Sequence, residues 1–522
     1  MTAVREDVAA TASPQLSARE AVERIGDGDT VAILGAGGGL LEPDLLLDAL
    51  RERFLETGHP RDLTIVHSVG IGDKGDRGMT KLALPGLVRR MIGGHIGNSP
   101  AVGRLVKDGS IELYNLPLGV MGQLFRDTAA GRPGLLTKIG IGTFVDPRVS
   151  GPGLNSRSTE KLVEVMTIDG EDYLFYRAIP VDFAFVRGTR ADSLGNISFD
   201  DEPNYLDSLE NCMAAARGRD GRRGTAFVQV KHVQSEPMHP KHVHIPAMLV
   251  GGVVEHPEQW QTYLFERDDV VAGDARIEES SFERMPFSWR KVIARRAADF
   301  GEPGDVVNLG VGVPDGVASI LRERRMLDRV VMTNEQGVVG GVTSLGMIFG
   351  ASRNYDSVIP MPHMMDLYQG GLLDIAFLGF AQADAEGNVN VSLYNGEIMG
   401  VGGFIDITQS ARRVVFCGSL TAVGARLGFE GGRLRVEHEG SVRKLVEKVE
   451  HVSFSGPAAL ERGQRVTIVT ERCVLELTPR GLELTEIAPG VDVQRDVIDQ
   501  IGFPVSASNA VQMPATHFTE EG

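Results

Sequence analysis

Val330-Val331-Met332-Thr333-Asn334-Glu335-Gln336-Gly337-Val338-Val339-Gly340-Gly341 is a short apolar run that ends in a single glutamate and then turns into glycine. Read as a buried strand, it places Glu335 at the strand tip. The glycines around it have no side chain and accept φ > 0, so a ligand or a second backbone can approach the carboxylate closely. Two readings are open on this stretch alone: a nucleophile, or an exposed glutamate in a Gly-rich turn.

The residues upstream extend the pattern. Lys291 to Phe300 has helical spacing, Gly304-Asp305 breaks it, and Val306-Val307-Asn308-Leu309 makes a strand that runs into Gly310-Val311-Gly312-Val313-Pro314. A helix through Val317, Ile320 and Leu321 then leads to the Glu335 strand. The first half has the same order. Ala18, Ala21, Val22 and Ile25 are helically spaced, Gly26 to Thr30 breaks the run, and Val31-Ala32-Ile33-Leu34 enters Gly35-Ala36-Gly37-Gly38-Gly39. A helix begins at Pro43, as suits a first turn, and Leu63-Thr64-Ile65-Val66 is the next strand. Asp182-Phe183-Ala184-Phe185-Val186 with Asp192, Gly195, Asn196 and Ile197 parallels Asp374-Ile375-Ala376-Phe377-Leu378 with Asp384, Gly387, Asn388 and Val389. Alternating strands and helices, repeated over this length, predict two tandem related open α/β domains with mainly parallel sheets, and a site between them.

A chain of 522 residues, 42% of them hydrophobic, exceeds one core. Gly273 to Pro286 interrupts the pattern, so the expected division is residues 1–275, a linker at 276–288, and 289–522. The tail from Ser506 reads as polar and mobile. Cys212, Cys417 and Cys473 are scattered, without disulfide or metal spacing, which suits a reducing compartment. The polar, acid-bearing start and the lack of an eighteen-residue apolar run predict a soluble, cytoplasmic protein with no membrane segment. A net charge of -17 argues against nucleic acid as a partner, but leaves room for a small anion held by backbone amides and local cations.

Three other clusters bear on chemistry. Gly35 to Gly39 fits the dinucleotide fingerprint poorly, because Leu40 takes the place of the last glycine and no acid ends the next strand. Gly310-Val311-Gly312 shares that failure, yet either loop can let a ligand chain come close. Gly400-Val401-Gly402-Gly403 is either a tight turn or a source of inward amides for an oxyanion. His239, His242 and His244 read as a loop around Pro240, so no metal is expected. No Gly-x-Ser-x-Gly elbow and no Ser, His and Asp set supports a serine hydrolase.

These motifs, in this order, resemble one family. Gly93-Gly94-His95, Gly142 to Arg148, Glu335 to Gly341, Asp374 to Gly379, Gly387 to Ser392 and Thr485 to Gly490 are similar to the family I coenzyme A transferases, in particular the single-chain propionate CoA-transferase-like and acetate or 3-ketoacid CoA-transferase-like enzymes. The resemblance runs from about Asp27 to about Pro504. It implies an alpha-subunit-like first domain and a beta-subunit-like second one carrying the nucleophile. It also implies that Glu335 attacks an acyl-CoA thioester to form an acyl-glutamyl anhydride and then a glutamyl-CoA thioester. Asn388 corresponds to a residue that orients the nucleophile, Gly310, Val311 and Gly312 line the coenzyme A site with Gly400, Gly402 and Gly403, and Gly402 and Gly403 also supply oxyanion amides.

The implied substrates are an acyl-CoA, short or branched, and a free carboxylate, as in ketone-body or short-chain fatty-acid metabolism. Swapping one thioester for another requires no permanent cofactor, and the family implies a homo-oligomer, dimer or tetramer. Leu116-Pro117-Leu118-Gly119 departs from a Pro-Gln-Gly turn found in many relatives. Leu118 cannot donate the side-chain hydrogen bond, a loss of roughly 3 kcal/mol unless a backbone amide replaces it. Asn334 stands where apolar residues are common. Leu118, Met121, Met347 and Phe349 are the acyl-pocket candidates. An acyl-CoA hydrolase on the same fold, and a non-catalytic coenzyme A-binding protein, are the alternatives.

Overall fold

The computed structural model describes residues 13–521. Its contacts divide the chain into two compact units. Among the described residues, the first comprises 13–137, Pro152–Ala275 and Val358–Pro362; the second comprises Lys138–Gly151, Arg276–Ser357 and 363–521.

The first unit is built on strands β1 (Thr30–Ile33), β2 (Leu63–His67), β3 (Val88–Gly93), β4 (Glu112–Asn115), β5 (Phe183–Ala191), β6 (Thr225–Val233) and β7 (Val250–Glu255). They lie in the order β7-β6-β5-β1-β2-β3-β4, each parallel to its neighbour. Every residue of β1 and β2 is buried. Such continuous apolar runs belong to sheets covered on both faces. Helix α1 (Asp44–Thr57) follows β1, buries Leu46, Leu47 and Leu50, and stops at Gly58 in the left-handed region. Helix α2 (Leu118–Ala129) follows β4, and α3 (Ser208–Arg217) precedes β6.

The second unit holds α4 (Trp289–Ala298), β8 (Val306–Leu309), α5 (Asp315–Glu323), β9 (Val331–Thr333), β10 (Val338–Val339), β11 (Ile375–Gly379), α6 (Phe404–Ser410), β12 (Arg413–Cys417), β13 (Arg465–Val469), β14 (Cys473–Thr478), β15 (Gly481–Ile487) and β16 (Val511–Gln512). From β9 through β8, β11 and β12 to β13 the strands are parallel; β10 turns back against β9, and β14 and β15 extend the other edge antiparallel. The order β9-β8-β11-β12-β13 repeats β2-β1-β5-β6-β7 of the first unit. Both units therefore have the expected α/β architecture.

The repeat extends to single hydrogen bonds. Asp182 Oδ2 accepts from the Thr30 amide at 2.8 Å, and Asp374 Oδ2 from the Val306 amide at 2.9 Å. Asp192 closes a turn on the amides of Leu194 and Asn196, and Asp384 does the same on Glu386 and Asn388. These side chains mimic a backbone turn, which is why aspartate and asparagine stand at those spacings.

Three segments differ from the expectation drawn from sequence. Residues 276–288 pack within the second unit rather than bridging freely: Ile277 and Asn354 exchange hydrogen bonds, and the rings of Phe287 and Phe429 meet edge to face. Lys138–Gly151 also belongs to the second unit, where the Phe144 ring stacks on His451 at 4.0 Å. The tail, through residue 521, packs on the second unit instead of hanging free: β16 pairs with β15, Met513 and Phe518 are buried, and the Arg295 guanidinium donates to the carbonyls of His517, Thr519 and Glu520.

Candidate active site

Strands β9 and β10 form a hairpin in which Thr333 pairs with Val339. The Gly337 amide donates to the Asn334 carbonyl at 3.0 Å, and the Gln336 amide to Asn334 Oδ1 at 2.7 Å. Asn334 thus shapes the turn with its own side chain, and Glu335 stands at the apex. The glutamate is only 7% exposed, which excludes the reading of an ordinary surface residue in a glycine turn.

Its carboxylate faces β8. Asn308 Nδ2 donates to Glu335 Oε2 at 3.2 Å and to the Tyr368 hydroxyl at 3.3 Å. Tyr368 lies 2.7 Å from Thr333 Oγ1, which itself donates to the Val307 carbonyl at 2.9 Å. Asn308 and Tyr368 are fully buried. Burial pushes the Glu335 carboxyl above its usual range, while its own backbone amide and Asn308 pull it back. A carboxylate stripped of water and held by few donors is a better nucleophile than a hydrated one.

The third glycine cluster comes to this carboxylate. A Cβ on Gly403 would lie 3.2 Å from Glu335 Cγ, so no larger residue fits there without displacing the glutamate. Gly403 precedes α6, while Gly400 and Gly402 adopt positive φ. The Gly400 amide donates to the Ser392 carbonyl at 3.2 Å, and Ser392 Oγ is held by His451 Nδ1 and Ser453 Oγ, each at 2.8 Å. Burial drives His451 down to about 4, so it stays neutral at pH 7 and serves as a fixed hydrogen-bond partner.

Gly310, Val311 and Gly312 continue from β8, starting two residues beyond Asn308. Val311 is half exposed, and the Gly312 amide donates to Asp315 Oδ2 at 2.9 Å. Burial raises Asp315 to about 6. Asn388 is engaged elsewhere: Nδ2 donates to Asp384 and Glu386, and Oδ1 accepts from the Gly456 amide. It matches Asn196, whose Oδ1 takes the Ala247 amide. The side-chain amide that contacts Glu335 is that of Asn308, which the sequence reading passed over; a lone polar residue inside a buried apolar strand was the signal.

Of the four acyl-pocket candidates, Leu118 opens α2 and is buried with Met121 in the first unit. Met347 is exposed and Phe349 half-buried beside the Glu335 turn, where Gln336 Nε2 reaches the Phe349 carbonyl. The histidine segment is a short turn, with His239 accepting from the Lys241 amide and His244 against Phe199 and Tyr205.

Known proteins are similar to this chain over most of its length. The sequence model of the family described as coenzyme A transferase matches residues 15–256. Acetate CoA-transferase YdiF of Escherichia coli strain K12 is 43% identical over 492 residues, which cover 94% of this chain and 92% of that protein. The chain belongs to the coenzyme A transferase family. Caffeate CoA-transferase of Acetobacterium woodii is 42% identical over 97% of both chains. The apoenzyme crystal structure of the acyl-CoA transferase YdiF of Escherichia coli O157:H7 superposes on this transferase with a TM-score of 0.93 at 40% identity, covering 99% and 98% of the two chains. A YdiF thioester complex with CoA superposes with a TM-score of 0.90 at the same identity and coverage. The protein is an enzyme of the CoA-transferase type.

Proposed function

We propose that this transferase moves coenzyme A between a short or branched acyl-CoA and a free carboxylate, with Glu335 as the covalent carrier. A Glu335 oxygen attacks the thioester carbonyl, the C–S bond breaks, and coenzyme A leaves as a thiolate with an acyl-glutamyl anhydride behind it. The thiolate then attacks the glutamyl carbonyl and expels the donor carboxylate, leaving a glutamyl-CoA thioester. An acceptor carboxylate reverses both steps. Each step passes through a tetrahedral oxyanion, for which the amides of Gly402 and Gly403 are the proposed donors. Gly310, Val311, Gly312 and Gly400 are the proposed lining for the pantetheine chain.

The observation that carries this reading is the buried Glu335 carboxylate, bonded by Asn308 at 3.2 Å and bordered by Gly403. The similarity to a protein solved as a thioester complex with CoA supports it. The orienting role assigned to Asn388 passes to Asn308 in this proposal. The first unit is taken as alpha-subunit-like and the second as beta-subunit-like, in a cytoplasmic homo-oligomer, dimer or tetramer.

Intact mass after incubation with acetyl-CoA or propionyl-CoA tests the scheme, followed by borohydride reduction and peptide mapping. A CoA-sized increase with the reduced residue at Glu335 is expected, and neither in Glu335→Gln. An adduct on another residue overturns the assignment. Coenzyme A released at equal rates with and without added carboxylate would favour hydrolysis over transfer.

A further inference from the structure

The hydroxyl groups beside Asn308 have a fixed proton order. Thr333 Oγ1 has one proton, and it goes to the Val307 carbonyl at 2.9 Å. The 2.7 Å contact between Thr333 Oγ1 and the Tyr368 hydroxyl is then made by the tyrosine proton. With that proton committed, the phenolic oxygen faces Asn308 as an acceptor only, and a nitrogen must meet it there. The same Nδ2 reaches Glu335 Oε2, and Asn308 Oδ1 is left buried without a hydrogen-bond partner. An amide free to choose would turn to satisfy its oxygen, because an orphaned buried acceptor costs about 1–3 kcal/mol.

We propose that Tyr368 and Thr333 are positioning residues for transfer: as a relay anchored on the Val307 carbonyl, they hold the Asn308 amide with its nitrogen, never its oxygen, toward Glu335. This deepens the reading of Glu335 as the covalent carrier and rests on it.

The first unit provides an internal comparison. Val31 pairs with Phe183 and Ile65 there, as Val307 pairs with Ile375 and Met332 in the second unit. In this register Ala32 stands for Asn308 and Val66 for Thr333. Polar groups replace apolar ones at these interior strand positions only in the unit that carries Glu335. Burying polar groups opposes folding unless they are paired, so a local departure of this kind marks a functional requirement. Val66 also shows that the fold accepts valine at this place, which makes Thr333→Val a fair test. Tyr368 is a titratable side chain that senses the Glu335 charge, and burial together with that charge pushes its phenol far above the ordinary range.

The test measures single-turnover formation of the Glu335–CoA adduct from acetyl-CoA, by mass spectrometry, between pH 5 and 9 in the full-length wild type, Thr333→Val, Thr333→Ser and Tyr368→Phe. With no acceptor in Thr333→Val, the phenol proton turns to Asn308 and draws its oxygen toward Glu335. The expected rate at pH 7 falls by about tenfold or more, the scale of one hydrogen bond to a charge, and the acid limb of the profile moves to higher pH. Tyr368→Phe shifts in the same direction, while Thr333→Ser keeps the wild-type profile. A role in packing alone lowers thermal stability without moving the acid limb, and that result overturns the relay. An adduct absent from Glu335 in the wild type defeats the carrier assignment itself, whereas a wild-type adduct with unshifted profiles in both Thr333→Val and Tyr368→Phe defeats only the relay.

Discussion

Ser68 stands at the end of β2 in the first unit where Glu335 stands beyond β9 in the second. Ser68 Oγ donates to Asp207 Oδ2 at 2.5 Å, and Asp207 is the N-cap of α3. Across from Glu335 the corresponding N-cap, that of α6, is Gly403. One unit thus has its carboxyl on the helix cap and a hydroxyl on the strand. The other has the carboxyl on the strand and only a hydrogen atom on the cap, which leaves room for a reacting group.

That arrangement makes Gly403→Ala a test of space rather than of backbone strain, since φ there is −82°. The added methyl meets Glu335 Cγ at 3.2 Å and Ile407 Cδ1 at 3.3 Å, so the glutamate must shift by a few tenths of an ångström. A reacting group displaced by about 1 Å can lose roughly a hundredfold in rate. We expect kcat to fall tenfold to a hundredfold, with about 1 kcal/mol or less lost in stability from the poorer cap. An unchanged kcat would mean that the carboxylate does not work where it lies here.

Asp207 predicts a pH effect on stability. Burial raises its carboxyl from 3.8 to about 6. A raised acid binds its proton more tightly folded than unfolded, so its contribution is fully present below about pH 4 and is lost as the pH rises through 6. Two pH units correspond to roughly 3 kcal/mol. Asp207→Asn keeps an acceptor for Ser68 and carries no charge. It should therefore flatten the decline between pH 4 and 7 and unfold at a higher temperature than the wild type at pH 8, as followed by calorimetry. A steeper decline in the variant would refute the sign.

What the sequence revealed followed periodicity. Val306–Leu309 emerged as a strand with the bounds read from its apolar run, and the Asp182 and Asp374 segments aligned because their turns need the same aspartate and asparagine spacing. The placement of Lys138–Gly151 was not legible, since local pattern cannot say which of two cores receives Phe144. The tail was misjudged because it is anchored by isolated residues, Met513 and Phe518, in a polar context. Asn308 was overlooked because a strand reading counts apolar positions and tolerates one exception. Setting Val306–Leu309 beside Thr30–Ile33 isolates that exception at once, as alanine against asparagine.

Val342–Thr343 and Ser352–Arg353 pair as an antiparallel hairpin, and Gly350, between its strands, ties that hairpin to the Glu335 turn. Its φ is +112°, and a Cβ there would overlap the side-chain amide of Gln336, the residue next to Glu335. Gly350→Ala combines backbone strain with that overlap, for an expected loss of about 1–3 kcal/mol in denaturant unfolding. Because Gln336 must move, kcat should fall as well. Loss of stability with full activity at permissive temperature would separate the hairpin from the site.

Two asparagines distinguish the site from the scaffold. Asn388→Ala removes the acceptor for the Gly456 amide and the bonds to Asp384 and Glu386, so about 1–2 kcal/mol of stability is expected to go, with kcat within about twofold of wild type. Asn308→Ala should show the reverse. The variant restores the alanine that β1 carries at the matching position and removes a buried, unpartnered oxygen, so stability should change by less than about 1 kcal/mol. It also strips Glu335 of its side-chain donor, which raises the carboxyl further and releases its orientation. We expect kcat to fall by about tenfold or more, most steeply on the acid side, in assays of transfer between acetyl-CoA and a free carboxylate. If Asn388→Ala proved the inactive, stable variant and Asn308→Ala the active one, the hydrogen bond at 3.2 Å would be incidental and the orienting role would return to the turn.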